Sequence, residues 1–288
     1  MPVLHWFDPW KNPLCTCPKK YSLDPYTGCS HKCLYCYASS YRRYIDSKPK
    51  KDFLIKLEKD LLKADKRFYI SMSNSSDPYP PIEEKKELTR KTLELIKKYK
   101  FKVLIVTKSN LVTRDIDLLK NIKSSVSITI TTLNKRLAKR LEPGAPNPDL
   151  RLKAVEELTR NDIPVSVRID PILPFINDDE GELRELVREV VYRGAKHIVT
   201  STYKAKPDNF KRVINEFPEL KDKYYELYYK KGEYKYGSRY LPLDLRKKLL
   251  FPIIDGAKRL GVSYAVCREG IKEYFNAKSC DGSHLIKY

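Results

Sequence analysis

The sequence predicts an α/β fold: a partial TIM barrel of the (β/α)6 type with a helical and irregular C-terminal extension. Three observations carry that prediction. Six strand-length runs alternate with helix-spaced segments up to about residue 205. Such alternation implies parallel strands joined by right-handed crossovers. Beyond residue 205 the pattern changes, and long helical segments precede one last strand. The expected organisation is an irregular segment over 1–20, the barrel over 21–205, and an extension over 206–288 packed on it.

Residues 1–20 carry Pro2, Pro9, Pro13 and Pro18 and read as irregular. Tyr21–Tyr26 reads as a short strand. A short helix is expected over 37–47 and an amphipathic one over 52–65, with Phe53, Leu54, Leu57, Leu61 and Leu62 apolar. Phe68–Ser73 is the second strand, and a long helix follows over 83–99. Val103–Thr107 is an apolar strand running into Lys108-Ser109, with a helix over 114–121 after it. Val126–Thr132 alternates, with Val126, Ile128 and Ile130 on one face and Ser127, Thr129 and Thr131 on the other. That polar face is unusual for a buried strand and suits a ligand. Next come a helix over 149–160, a strand over Pro164–Ile172, a helix over 180–193 and a strand over His197–Thr202. Residues 207–231 and 243–260 read as helical, and Val262–Cys267 as the last strand. In such a barrel, ligand groups gather at the C-terminal ends of the strands.

The chain has 288 residues, 33% of them charged and 41% hydrophobic, so it can bury a sizeable core. No apolar run reaches membrane-spanning length. The start shows no basic region followed by an apolar core, so the expected location is the cytoplasm. The net charge is +20, which favours a polyanionic partner such as nucleic acid. The absence of Gln and the density of Lys and Glu also fit a thermophile's composition, in which part of that charge is solvated helix surface.

Seven cysteines stand at 15, 17, 29, 33, 36, 267 and 280. Cys29, Cys33 and Cys36 have the spacing C-x3-C-x2-C, with Gly28 allowing a tight turn ahead of them. Three close thiolates on a polar loop point to a metal centre. A zinc site with its fourth ligand elsewhere is one reading. A cubane iron–sulfur cluster with one iron left open is the other, and the tight spacing favours it.

In this stretch the chain resembles the radical S-adenosylmethionine superfamily, whose signature is C-x3-C-x-aromatic-C. It is most similar to the branch holding spore photoproduct lyase and the DNA repair photolyase-like proteins. The segment from Tyr21 to His31 carries that narrower likeness. So do Ser75-Ser76-Asp77-Pro78-Tyr79, Leu141-Glu142-Pro143-Gly144-Ala145-Pro146 and Arg168-Ile169-Asp170-Pro171-Ile172-Leu173-Pro174. The resemblance implies a 4Fe–4S cluster on Cys29, Cys33 and Cys36, with S-adenosylmethionine on the open iron. One-electron cleavage of that cofactor would give a 5′-deoxyadenosyl radical that takes hydrogen from a substrate. It also implies cofactor contacts from Tyr35, Tyr37, Ser76, Asp77, Lys108, Thr129 and Asp170, with Arg168 pointing the same way as Asp170. The implied electron donor is a ferredoxin or flavodoxin, and the enzyme is expected to be a monomer. Spore photoproduct lyase has a hydrogen-donating cysteine just before its Ser-Asp pair, where this chain has Ser75. A hydroxyl O–H is too strong to return hydrogen easily to a carbon radical, so the substrate is expected to differ from spore photoproduct. DNA or RNA is the expected substrate class. Radical modification of a protein or peptide is the alternative within the same chemistry, and a non-catalytic iron–sulfur or zinc nucleic-acid-binding protein is the alternative outside it.

The other four cysteines, Cys15, Cys17, Cys267 and Cys280, are expected to form a second metal site, zinc or iron–sulfur, if the first and last strands approach. His5 or His284 can replace one ligand, and a disulfide or simple burial are the alternatives. Between 224 and 240 lie seven of the 21 tyrosines, interleaved with Lys and Arg as a nucleic-acid surface requires. Tyr224, Tyr225, Tyr228 and Tyr229 also have the i,i+4 spacing of helix packing, whereas Tyr234, Tyr236 and Tyr240 suit the surface better.

Overall fold

The computed structural model describes residues 1–7, 12–41 and 45–287. One eight-stranded sheet runs through it. Its strands are β1 (Leu4–Trp6), β2 (Tyr21–Leu23), β3 (Ile70–Met72), β4 (Val103–Thr107), β5 (Ser124–Thr129), β6 (Val165–Ile172), β7 (His197–Thr202) and β8 (Ser263–Val266), side by side in chain order. β2 to β8 are parallel, and β1 lies antiparallel on the β2 edge, Leu4 opposite Leu23. β1 and β8 are the two ends of that order, so the barrel is partial and open.

The sheet departs from the expectation at both ends. Leu4–Trp6 is a strand within the segment read as irregular; it is anchored by Val3 and Leu4 amides donating to Asp60 Oδ2 at 2.7 and 3.0 Å. The last strand joins the same sheet as β7's parallel neighbour, so the extension completes the barrel as well as packing on it. The helix expected over 37–47 appears as a 3-10 turn over Ala38–Ser40, and residues 42–44 lie outside the described residues. The helix expected over 83–99 is two pieces, because Glu87 has φ 50° between Glu83–Lys86 and Leu88–Lys98. A short helix over Lys135–Leu141 was not expected; Asn134 caps it by accepting from the Arg136 and Leu137 amides. Among the described residues no helix is long and apolar enough to cross a membrane.

Alternation along the strands divides the sheet into two faces. Val103, Ile105, Val126, Ile128, Val165, Val167 and Ile198 join one apolar cluster with the helices α1 (Pro148–Arg160), α2 (Glu180–Tyr192) and α3 (Leu243–Arg259). The opposite face is polar and small: Ser71, Ser125, Ser127, Ser166 and Thr129, with Arg168 and Asp170 above them. All six strand residues of β5 are buried, so its polar face looks into the barrel interior. The tail fills the lower half of that interior. Ser125 Oγ donates to the Gly282 carbonyl at 3.4 Å, and Ile286 packs with Tyr69 and Leu104. Gly282 has φ 84°, and a Cβ there would stand 2.6 Å from Ser166 Oγ. The upper half, at the C-terminal ends of the strands, is left for the site.

Candidate active site

The cysteine loop leaves β2 and turns at Gly28, where φ is 78° and a Cβ would come 2.5 Å from the Asp46 carbonyl oxygen. The Cys29 amide donates to the Ile45 carbonyl at 3.0 Å, and the Cys36 amide to the Cys33 carbonyl at 3.2 Å. Cys33 is buried, while Cys29 and Cys36 are half-buried. Burial, with the charge of Asp77 behind it, pushes the Cys29 thiol up to about 12. Burial pushes the Cys33 thiol up as well, and the Lys108 ammonium opposes it. Thiolates in such a place need a compensating cation. Among the described residues no three His, Cys, Asp or Glu side chains converge as one shared ion would require. The cysteines of an iron–sulfur cube bind different irons, so their donor set fits that group without convergence on a point.

Three braces hold the loop. The first is the Leu141–Gly144 segment. The Leu34 amide donates to the Leu141 carbonyl at 2.9 Å and the Gly144 amide to the His31 carbonyl at 3.0 Å. A Cβ on Gly144 would stand 1.9 Å from the Ser30 carbonyl oxygen, so only glycine allows this approach. Beneath it Glu142, 1% exposed, accepts from the Tyr35 hydroxyl and from Thr131 Oγ1 at 3.1 Å, and pairs with Arg151 at 2.5 Å. Burial works against that carboxylate, and the Arg151 and Lys108 charges outweigh it and hold its pKa low.

The second brace is the helix Pro207–Glu216. Its Arg212 donates to the Leu34 and Cys36 carbonyls at 3.0 and 3.2 Å, and Asn209 to the Tyr35 carbonyl at 3.3 Å. Asp208 accepts from Ser39 at 2.5 Å. The third is Asp77, in the loop after β3. Its carboxylate meets His31 Nδ1 at 3.2 Å and accepts from Thr107 Oγ1 at 2.7 Å and from the Tyr79 and Lys108 amides at 2.9 and 2.8 Å. Burial opposes its ionisation, but His31 and the two amides lower it to about 2.

The C-terminal strand ends gather the other predicted groups. Lys108 follows β4, with Nζ 5.6 Å from the Tyr35 ring centre. Burial works against its charge, and Cys33 and Glu142 raise its pKa regardless. Thr129 is the last residue of β5, not a mid-strand one, and its carbonyl accepts from Arg151 at 3.1 Å. On β6, Arg168 bonds Asp170 at 2.5 Å, and Ser201 of β7 donates to the other Asp170 oxygen at 2.5 Å. Tyr37 donates to the Asn74 carbonyl at 2.5 Å, and Ser76 to Asp24 at 3.2 Å.

The Radical SAM superfamily matches residues 23–221, from the end of β2 past the Pro207–Glu216 helix. The chain belongs to the radical SAM superfamily. Membership makes it an enzyme and implies a 4Fe–4S cluster and S-adenosylmethionine as its cofactors. A Methanocaldococcus jannaschii protein of unassigned function is 32% identical over 212 residues, 68% of this chain and 80% of that one. A Pseudomonas phage M6 protein named radical SAM Nα-GlyT isomerase is 25% identical over 258 residues, 85% of this chain and 53% of that one. Among solved structures, a spore photoproduct lyase variant with bound AdoMet and dinucleoside spore photoproduct shares the fold. Its TM-score is 0.65 at 18% identity, over 85% of this chain and 75% of that one. Streptococcus suis SuiB bound to its precursor peptide has TM-score 0.56 at 16% identity, over 85% and 48%.

In this radical SAM chain the sequence missed the residues that hold the loop from elsewhere: Glu142 as a buried acid, Arg151, Asn209 and Arg212. One signal was available. Arg151 lies on the apolar stripe of its helix with Ala154, Val155 and Leu158, where an arginine must have a partner. The tyrosine stretch divides differently from its expectation. Tyr224 and Tyr228 are core, as their spacing allows, but Tyr240 is also buried, against Lys204 and Arg246. Tyr234 and Tyr236 are 68% and 50% exposed, on a hairpin of Glu233–Lys235 and Ser238–Tyr240.

Proposed function

We propose that this radical SAM enzyme acts on nucleic acid, with Cys29, Cys33 and Cys36 as the cluster ligands. When bound, the cluster and S-adenosylmethionine supply a 5′-deoxyadenosyl radical able to abstract hydrogen. The chain's own residues bind and orient. Lys108 would supply a half-buried ammonium for the methionine carboxylate. Tyr35, fixed through its hydroxyl by Glu142, would contact the cofactor, as would Tyr37, Ser76, Thr129 and Asp170. Asp77 has its oxygens engaged by protein donors, so its part is to position His31 and the Lys108 backbone. The helix carrying Asn209 and Arg212 fixes the loop through its backbone carbonyls.

One observation carries the substrate class. The Glu233–Tyr240 hairpin hangs from the exit of β7, where Ala205 and Arg239 exchange backbone hydrogen bonds at 3.0 and 2.8 Å. It therefore stands on the cysteine-loop side of the sheet. Arg239 lies 4.0 Å from the Tyr229 ring centre and 5.7 Å from that of Tyr234. Exposed aromatic faces beside cations suit stacked bases and phosphates, and the +20 charge favours the same partner. The solved relatives include one with a dinucleoside lesion and one with a peptide.

The test uses the reduced, anaerobically reconstituted protein with S-adenosylmethionine. Formation of methionine and 5′-deoxyadenosine, stimulated by oligonucleotides and not by peptides, is expected. Stimulation by peptides alone would overturn the substrate class. Deuterium transfer from labelled oligonucleotide into 5′-deoxyadenosine then locates the hydrogen taken.

A further inference from the structure

Four cysteines have no part in the loop, and the fold draws them together from both ends of the chain. Cys15 and Cys17 precede β2 near one edge of the sheet; Cys267 immediately follows β8 at the other, its amide bonded to the Thr200 carbonyl at 2.8 Å. Cys280 lies in the tail that fills the barrel. The segment before β2 meets the segment after β8 across the open side: a Cβ on Gly270 would stand 3.2 Å from Leu14 Cδ2. Cys17 Sγ lies 3.3 Å from Cys280 Sγ, across a sequence separation of 263 residues. The Cys15 thiol interacts with that of Cys17, and Cys267 is within electrostatic reach of both Cys15 and Cys280.

Ion pairs surround the cysteines. Lys20, 2% exposed, pairs with Asp281 at 2.5 Å. Arg168 interacts with Cys267 and Cys280, and Arg268 with Cys267. Four thiolates around a divalent ion carry a net charge of about −2; Lys20 and Arg168 are already paired with Asp281 and Asp170 and offset little of it.

We propose that Cys15, Cys17, Cys267 and Cys280 form a second, thiolate-bound metal centre that closes the open side of the barrel. The chemistry is that of a soft metal with four sulfur ligands, met by zinc or by an iron–sulfur cluster. A tetrahedral zinc–thiolate site places its sulfurs about 3.8 Å apart, since each Zn–S bond is about 2.3 Å; the Cys17–Cys280 pair is already near that spacing. The four sulfurs do not converge on one point in the structure, so a single-ion site requires Cys15 and Cys267 to close onto the pair, whereas the cysteines of a cluster bind different irons and need no such convergence. The centre would tie residues before β2 to residues beyond β8, a structural role separate from the radical chemistry.

The experiment removes the first centre to expose the second. The protein carrying Cys29→Ala, Cys33→Ala and Cys36→Ala together is purified anaerobically, and zinc, iron and acid-labile sulfide are counted per chain. About one zinc without iron supports a zinc centre, and iron with sulfide supports a cluster. Addition of Cys17→Ala and Cys280→Ala should abolish either. Cys15→Ala alone, checked as folded by circular dichroism, should release metal to a chelator at least tenfold faster than its parent. A folded triple variant that stays metal-free after separate treatment with zinc and with iron and sulfide would overturn the proposal. So would a Cys17–Cys280 disulfide recovered from anaerobically alkylated wild-type protein. Neither negative result touches the first centre, whose test is cofactor cleavage.

Discussion

Replacement of Arg151 by methionine should destabilise the protein by about 3–5 kcal/mol, the usual cost of breaking one half of a buried ion pair. Arg151 is 1% exposed and Glu142 equally so, and they meet at 2.5 Å. Loss of the guanidinium leaves the carboxylate buried with the Tyr35 and Thr131 hydroxyls as its donors among the described residues and the Lys108 charge as its remaining support. It also removes the donor that the Thr129 and Pro146 carbonyls accept from at 3.1 and 2.8 Å; each lost bond is worth roughly 1 kcal/mol and is counted within that total. Methionine fills much of the same volume, so the cost is electrostatic and not a cavity. Glu142→Gln in the same chain removes the stranded charge and should recover at least about 2 kcal/mol, a coupling that only contacting residues show. Urea unfolding of the four proteins in the double-mutant cycle, followed by circular dichroism, reads both numbers. The reasoning fails if Arg151→Met costs under about 1 kcal/mol, or if the double variant loses the sum of the singles.

Further outcomes follow from the loop and its braces. Gly144→Ala forces a Cβ within 1.9 Å of the Ser30 carbonyl. It should cost about 3 kcal/mol or more and lower iron uptake on reconstitution; wild-type iron content would contradict the brace. Cys33→Ala should abolish methionine and 5′-deoxyadenosine formation, and cleavage that persists would count against the cluster assignment. Arg212→Met strips donors from the Leu34 and Cys36 carbonyls. A several-fold faster loss of iron to chelator is expected, with far-ultraviolet circular dichroism unchanged. Joint substitution of Lys230, Lys231, Lys235 and Arg239 by alanine should weaken oligonucleotide binding and flatten its salt dependence; unchanged affinity with an unchanged salt dependence would discard the stretch as a binding surface.

Much of the fold was legible because strands β3 to β7 announce themselves by apolar runs or by apolar–polar alternation, and the Cys29–Cys36 spacing points to a metal centre. What stayed hidden depends on distant partners. Leu4–Trp6 is a strand only because β2 offers an edge and Asp60 accepts its amides. The break at Glu87 is a backbone choice that Lys- and Glu-rich sequence does not advertise. Asp77 reads as a ligand contact by motif, yet its oxygens are occupied by His31, Thr107 and two amides. Arg212 and Asn209 reach carbonyls more than 170 positions away, beyond any local pattern.

The tail inside the barrel orders events in time. Lys20 pairs with Asp281 across 261 residues and Cys17 meets Cys280 across 263, so neither contact can exist until residues 280 and 281 have been synthesised. The strands that carry the cysteine loop and its braces are all synthesised earlier, and contacts of such separation are the slow ones to form. Gly282 and Ile286 supply the native neighbours of Ser125, Ser166 and Leu104. The chamber's floor is thus drawn from a segment remote in sequence from the strands it lines, and its closure depends on that long-range contact.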